Sequence, residues 1–130
     1  AFEKGWDNIQ GILCPANLST LASLCGQNFY CRRDMILLLE DINEPVYKID
    51  RMLTQLFNIF DFGENIKAIG LGSFSGVDRP DWLVEFFEEF SQKYNMPVFD
   101  GINFGHQKEN ITIPFGVEAV LDLKNKKIAW

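Results

Sequence analysis

Apolar positions along this chain follow two rhythms. Continuous runs at 35–39 and 66–71 read as buried strands, and Gly11-Ile12-Leu13-Cys14 as a shorter one. Between them the period lengthens to that of a helix. Leu18, Leu21 and Cys25 recur at i, i+3, i+7 behind Asn17, a natural N-cap, with Gly26 as the stop. Pro45 stands near the start of a second helix whose stripe is Ile49, Met52, Leu53, Leu56, Phe57 and Phe60, ended by Gly63. Asp78-Arg79-Pro80 opens a third, with Leu83, Phe86, Phe87, Phe90 and Tyr94 as its apolar face and Glu85, Glu88 and Glu89 mostly off it. Pro97-Val98-Phe99 begins a short strand. The tail reads as two strands, 117–123 and 127–130, around the polar turn Lys124-Asn125-Lys126. Strands alternate with helices and then give way to a β-rich end, which is the pattern of a compact α/β domain.

Composition agrees with one packed domain. The 130 residues are 47% hydrophobic and 14% aromatic, with 12 Phe, far from a disordered chain. So much Phe fits a Phe-rich core or an apolar surface facing a partner, and the sequence leaves both open. A net charge of −6 argues against a nucleic-acid partner, because neutralising phosphates needs clustered Lys and Arg. Lys124, Lys126 and Lys127 are the notable basic cluster, and they suit a solvated turn. No apolar run reaches membrane-spanning length, so no membrane partner is expected, and no signal peptide is visible. The chain begins at Ala1 rather than Met, which leaves room for a removed leader or a whole domain. Cys14, Cys25 and Cys31 are odd in number and form no C-x-x-C. With one histidine in the chain a zinc site is not expected, and the thiols read as reduced.

Two segments carry candidate chemistry. Leu37-Leu38-Leu39-Glu40-Asp41-Ile42-Asn43-Glu44-Pro45 places carboxylates just past the end of a buried strand. Gly101-Ile102-Asn103-Phe104-Gly105-His106 places the single histidine in a glycine-flanked loop after another strand. Histidine is the natural general base near neutral pH, and a carboxylate can hold its tautomer. An ordinary strand-to-helix turn, with Asp41, Asn43 and Glu44 capping the next helix, accounts for the acids equally well. Gly70-Leu71-Gly72-Ser73-Phe74-Ser75-Gly76 is spaced G-x-G-x-x-x-G with no helix directly after it, so a glycine-rich turn is expected rather than a dinucleotide loop. Phe74 stands where a G-x-S-x-G turn would need its serine, which makes Ser73 and Ser75 poor nucleophiles. A histidine and an acid without an activated serine suggest part of a catalytic site, completed by residues outside this chain.

Taken together these segments resemble the C-terminal domain of the LD-carboxypeptidase family of serine peptidases, which includes the microcin-immunity peptidases. The likeness runs through Asn17-Leu18 and the 21–26 stretch, Ile36-Leu37-Leu38-Leu39-Glu40-Asp41 and Tyr47-Lys48-Ile49-Asp50-Arg51-Met52-Leu53. It continues through Ile69-Gly70-Leu71-Gly72-Ser73-Phe74, Pro97-Val98, Gly101, Gly105-His106 and Ile113-Pro114-Phe115-Gly116. The resemblance implies a swivelling-type β/β/α domain over residues 1–130, with the N-terminal nucleophile domain absent. It implies a Ser-Glu-His triad in which Glu40 is the orienting acid and His106 the general base, the serine lying on the other domain. The implied substrate is a murein tetrapeptide, cut at the L–D amide that releases terminal D-alanine during cytoplasmic cell-wall recycling. A peptidyl nucleotide is the alternative substrate, and a non-catalytic binding domain with a relic site is the alternative role. No metal or cofactor and a homodimer are further expectations of the resemblance. One departure stands out: the family commonly carries Gly-Gly before Asn-Leu, and here Pro15 and Ala16 occupy those places. Proline lacks the N–H, so the first loop is expected to take another path or to lose a backbone donor.

Overall fold

The computed structural model describes residues 6–27, 32–59 and 61–130, so Cys31 and Phe60 lie outside the described residues. In chain order the elements are β1 (Asn8–Asn17), α1 (Leu18–Ser23), β2 (Met35–Ile42), α2 (Val46–Phe57), α3 (Phe62–Asn65), β3 (Ile66–Ser75), α4 (Pro80–Tyr94), β4 (Val98–Phe99), β5 (Glu118–Asp122) and β6 (Lys127–Ala129). The strands form one sheet ordered β4-β3-β2-β1-β5-β6. From β4 to β1 neighbours run parallel, and β5 and β6 add antiparallel at the far side. The α/β arrangement with a β-rich end is the one expected.

The apolar run of β2 is buried on both faces because both faces are covered. Leu37 and Leu39 point into a core built with all four helices, while Ile36 and Leu38 point into a second core under the 102–117 segment and the β5–β6 end. All four are fully buried, each contributing about 1.5–3 kcal/mol by leaving water. The phenylalanines serve mainly this packing. Phe57 of α2 meets Phe90 of α4 edge-on at 4.9 Å, and within α4 Phe86 meets Phe87 at 5.1 Å. Among the described residues Phe115 is the one left largely open, at 72% exposure.

Three boundaries differ from expectation. Cys25 lies past the end of α1, in the turn that Gly26 closes with φ +94°. Helix α2 ends at Phe57, and Gly63 falls inside α3 instead of stopping it. That glycine has a packing reason, since a Cβ there would come within 2.8 Å of the Phe57 ring. The 70–76 segment is not a turn: all but Gly76 lie in β3. Gly70 has no room for a side chain, its Cβ falling 2.5 Å from Leu38 and 2.7 Å from Ile102. Gly72 likewise faces the Phe104 carbonyl oxygen at 2.5 Å. The glycines therefore let the 102–106 segment lie directly on β3, and Ser73 N–H donates to that same carbonyl at 2.8 Å.

Pro15 and Ala16 continue β1 and stay in register with Leu38 and Leu39, so no detour arises. Along β1, Ile12 N–H points to the β2 side, donating to Asp34, and Leu13 N–H points the other way, to Val117. Pro15 shares the direction of Leu13. Its missing N–H therefore falls beyond the last bond on that side, Gly116 N–H to the Leu13 carbonyl, and the β1–β2 ladder is intact.

Candidate active site

Strand alternation decides where the acids of β2 point. Glu40 follows Ile36 and Leu38 onto the face covered by the 102–117 segment, and Asp41 follows Leu37 and Leu39 onto the helix face. Both acids lie inside the strand rather than in a loop past it, and both are buried, at 5% and 3% exposure. Opposite Glu40 the β2–β3 register slips, with Leu39 paired to Leu71 but Asp41 to Phe74. Such an irregularity re-aims side chains, and here it sits beside the candidate site at the C-terminal edge of the parallel strands.

A buried carboxylate is costly unless its oxygens are paired. Glu40 Oε2 lies 2.7 Å from His106 Nδ1 and accepts a weaker bond from the His106 backbone N–H at 3.3 Å. Its other oxygen accepts from Asn17 Nδ2 at 2.9 Å. The imidazole, in contrast, is half exposed. With Nδ1 on the carboxylate, Nε2 is the nitrogen left for a reacting partner. The hydrogen bond to Glu40 and then its charge hold the His106 pKa above its ordinary value, against an opposing effect of burial, with the charge of Asp41 the weakest contributor in the same upward direction.

Gly105 permits this contact. Its φ is +116°, and a Cβ would stand 2.7 Å from Glu40 Cβ and 2.9 Å from Oε2. Gly105→Ala therefore adds backbone strain of about 1–3 kcal/mol and a clash with the acid itself. The expected outcome is a displaced loop and a His106 titration midpoint that falls back toward about 6.5. Because the chain has one histidine, a single ring resonance followed by NMR against pH reads the result. An unchanged midpoint would show that the loop tolerates the methyl group.

The expected pair, Glu40 and His106, is thus brought together across 66 positions. The capping reading of Asp41 is corrected in its target. Asp41 holds the start of α1, accepting from Ser19 N–H at 2.9 Å and Ser19 Oγ at 2.6 Å. The start of α2 is held instead by Asp78, which accepts from Val46 N–H at 3.0 Å. Asn17 caps α1 as expected, its Oδ1 accepting from Thr20 N–H at 3.0 Å. Its second task, donating to Glu40, was not read from the sequence; the signal available was only an amide, whose two ends bond differently. The Ser75 hydroxyl is buried, so it is not presented as a nucleophile. Among the described residues there is no cluster of potential metal ligands, and no helix is long and apolar enough to cross a membrane.

Comparison with known proteins gives a consistent result. Residues 10–121 match the family model described as the LD-carboxypeptidase C-terminal domain. A murein tetrapeptide carboxypeptidase of Pseudomonas aeruginosa is 32% identical over 127 residues, covering 94% of this chain and 40% of that protein. The microcin C7 self-immunity protein MccF of Escherichia coli is 28% identical over 135 residues, covering 96% of this chain and 38% of that protein. Among solved structures, muramoyltetrapeptide carboxypeptidase from Oxalobacter formigenes superimposes with a TM-score of 0.82 at 31% identity, over 95% of this chain and 47% of that one. The chain thus spans less than half the length of these relatives.

Proposed function

The chain belongs to the family of LD-carboxypeptidase C-terminal domains, and we propose that it supplies the base and the orienting acid of a serine-type peptidase whose nucleophile lies on a separate N-terminal domain. The observation that carries this reading is the 2.7 Å contact between buried Glu40 and half-exposed His106. In the proposed reaction His106 Nε2 takes the proton from the serine hydroxyl as it attacks the amide carbon, then delivers it to the departing amine. Glu40 keeps Nδ1 protonated and stabilises the imidazolium. The substrate is a murein tetrapeptide, cut at its L–D amide with release of terminal D-alanine, in a cytoplasmic, homodimeric enzyme that needs no metal or cofactor. The 130-residue chain alone is inactive in this reading, for want of the serine.

The test is D-alanine release from murein tetrapeptide by a protein carrying this chain behind its nucleophile domain, with a peptidyl nucleotide and the 130-residue chain as parallel arms. Release only from the tetrapeptide, and only by the longer protein, is expected. Cleavage of the peptidyl nucleotide alone would move the assignment to the microcin-immunity type. No cleavage of either by a folded protein would favour a relic site, and turnover by the short chain would refute the missing-serine argument. Sedimentation of the longer protein checks the dimer.

A further inference from the structure

Behind the Glu40–His106 pair lies a second carboxylate that the proposed chemistry does not use. Asp41 faces the opposite side of β2, yet it reaches the same amide as Glu40. Asn17 Nδ2 donates to Glu40 Oε1 at 2.9 Å and to Asp41 Oδ1 at 3.3 Å. Asp41 Oδ2 is in turn fixed by Ser19, through the backbone N–H at 2.9 Å and the hydroxyl at 2.6 Å. The Ser19 hydroxyl also lies 3.5 Å from Glu44, whose carboxylate faces Lys48 at 3.6 Å. These contacts run from the half-exposed imidazole, through two buried acids, to the first turn of α1.

Asn17 has one workable orientation in this arrangement. Its Oδ1 must accept from Thr20 N–H, and its NH₂ must face two carboxylates. A flipped amide would set oxygen against both acids and a donor against a donor, losing every bond. Asp41 enforces the choice twice over, by accepting from the amide and by holding the helix turn on which the cap depends. Glu40 Oε1 has Asn17 as its side-chain donor, so a loosened amide frees the carboxylate to rotate about its terminal torsion. The oxygen that meets His106 Nδ1 would then lose its fixed place.

We infer that Asp41 is a positioning residue: acting through Asn17, it locks the Glu40 carboxylate in the orientation that holds the His106 ring. The inference rests on Glu40 and His106 working as a pair, but not on the identity of the substrate. It also gives Ser19 a purpose beyond helix capping, as the anchor of Asp41.

The titration of His106 in the 130-residue chain tests it, because the readout needs neither substrate nor the nucleophile domain. The groups acting on the ring are Glu40 and, more weakly, Asp41; Glu44 and Lys48 reach the cluster from the Ser19 side. Asp41→Asn is expected to lower the midpoint, and Asp41→Glu to restore part of it. A direct effect of the lost charge would do the same, so a double-mutant cycle with Asn17→Ala separates the two. Action through Asn17 predicts that Asp41→Asn shifts the midpoint much less once Asn17 is gone. An equal shift in both backgrounds would overturn the inference. If Asp41→Asn fails to fold, Ser19→Ala enters the same cycle, with the same two outcomes. In the longer protein, Asp41→Asn is expected to lower kcat for D-alanine release by roughly 10- to 100-fold, taking for this base the range seen when an outer partner of a metal-bound histidine is lost, with KM little changed. An unchanged kcat would also overturn it. Absence of turnover by the unmutated protein would instead reject the peptidase reading, with the titration cycle still decisive for Asp41.

Discussion

Replacing His106 by alanine, in a protein that carries this chain behind its nucleophile domain, is expected to lower kcat/KM for D-alanine release by about 10⁴-fold or more. The size follows from the work assigned to the ring. A serine hydroxyl is a poor nucleophile until a base takes its proton, and the departing amine is a poor leaving group until an acid supplies one. His106 is the histidine of this chain, and it is the group the fold aims outward from a buried acid. The loss should fall on kcat with KM little changed, because the ring acts in the transition state rather than in binding. The half-exposed ring leaves no cavity in the core, but its removal takes the 2.7 Å partner from buried Glu40, so some stability is lost as well, more below about pH 6.5 than above it. Losing activity under conditions where the variant is still fully folded would mark a catalytic role. A drop of less than ten-fold would sink the assignment of His106 as the base.

How much of this was legible in the sequence depends on where polarity begins. The hydrophobic starts of β2 and β3 stand out, and so does the apolar stripe of α4. Their continuations do not, because each strand turns polar on approaching the site. Glu40 and Asp41 extend β2, and Gly72 to Ser75 extend β3, yet acids and glycines are the residues a strand normally avoids. The reason they are tolerated is non-local. Glu40 is compensated by His106 from 66 positions away and by Asn17 from 23, and Gly72 makes room for Phe104. A local reading sees the cost of each residue without the distant group that offsets it. The same limit hid the role of Asp41. Its neighbours Asn43 and Glu44 suggested a cap on the helix that follows, whereas the strand's alternation turns it toward the helix that precedes. Pro15 is the opposite case. A proline in a strand suggests disruption, but its direction along β1 sends the missing donor away from β2, past the last bond that the 116–117 segment makes to β1 among the described residues.

Replacing Glu40 by glutamine should be nearly as damaging as removing the histidine, lowering kcat by roughly 10³- to 10⁴-fold, although only one atom changes character. Glutamate offers two acceptors here, one to Asn17 and one to His106 Nδ1. Glutamine offers one acceptor and one donor. If its oxygen stays on Asn17, its NH₂ faces Nδ1, and the ring moves its proton to Nε2, where it can no longer act as a base. If the amide turns over, Asn17 meets a donor and its hydrogen bond to the acid is lost. Either arrangement also removes the charge that raises the His106 pKa, so the ring's NMR midpoint and any residual acid limb of kcat/KM should both move to lower pH. The linkage has a definite sign. A raised pKa in the folded state adds stability that is fully present below the unfolded value, about 6.5, and is lost as pH rises through the folded value. The stability advantage of the unmutated chain over Glu40→Gln should therefore be larger at pH 5.5 than at pH 8.5, as urea midpoints would record. Equal advantages at both pH values, with an unmoved ring midpoint, would mean that the acid and the imidazole are neighbours without being partners.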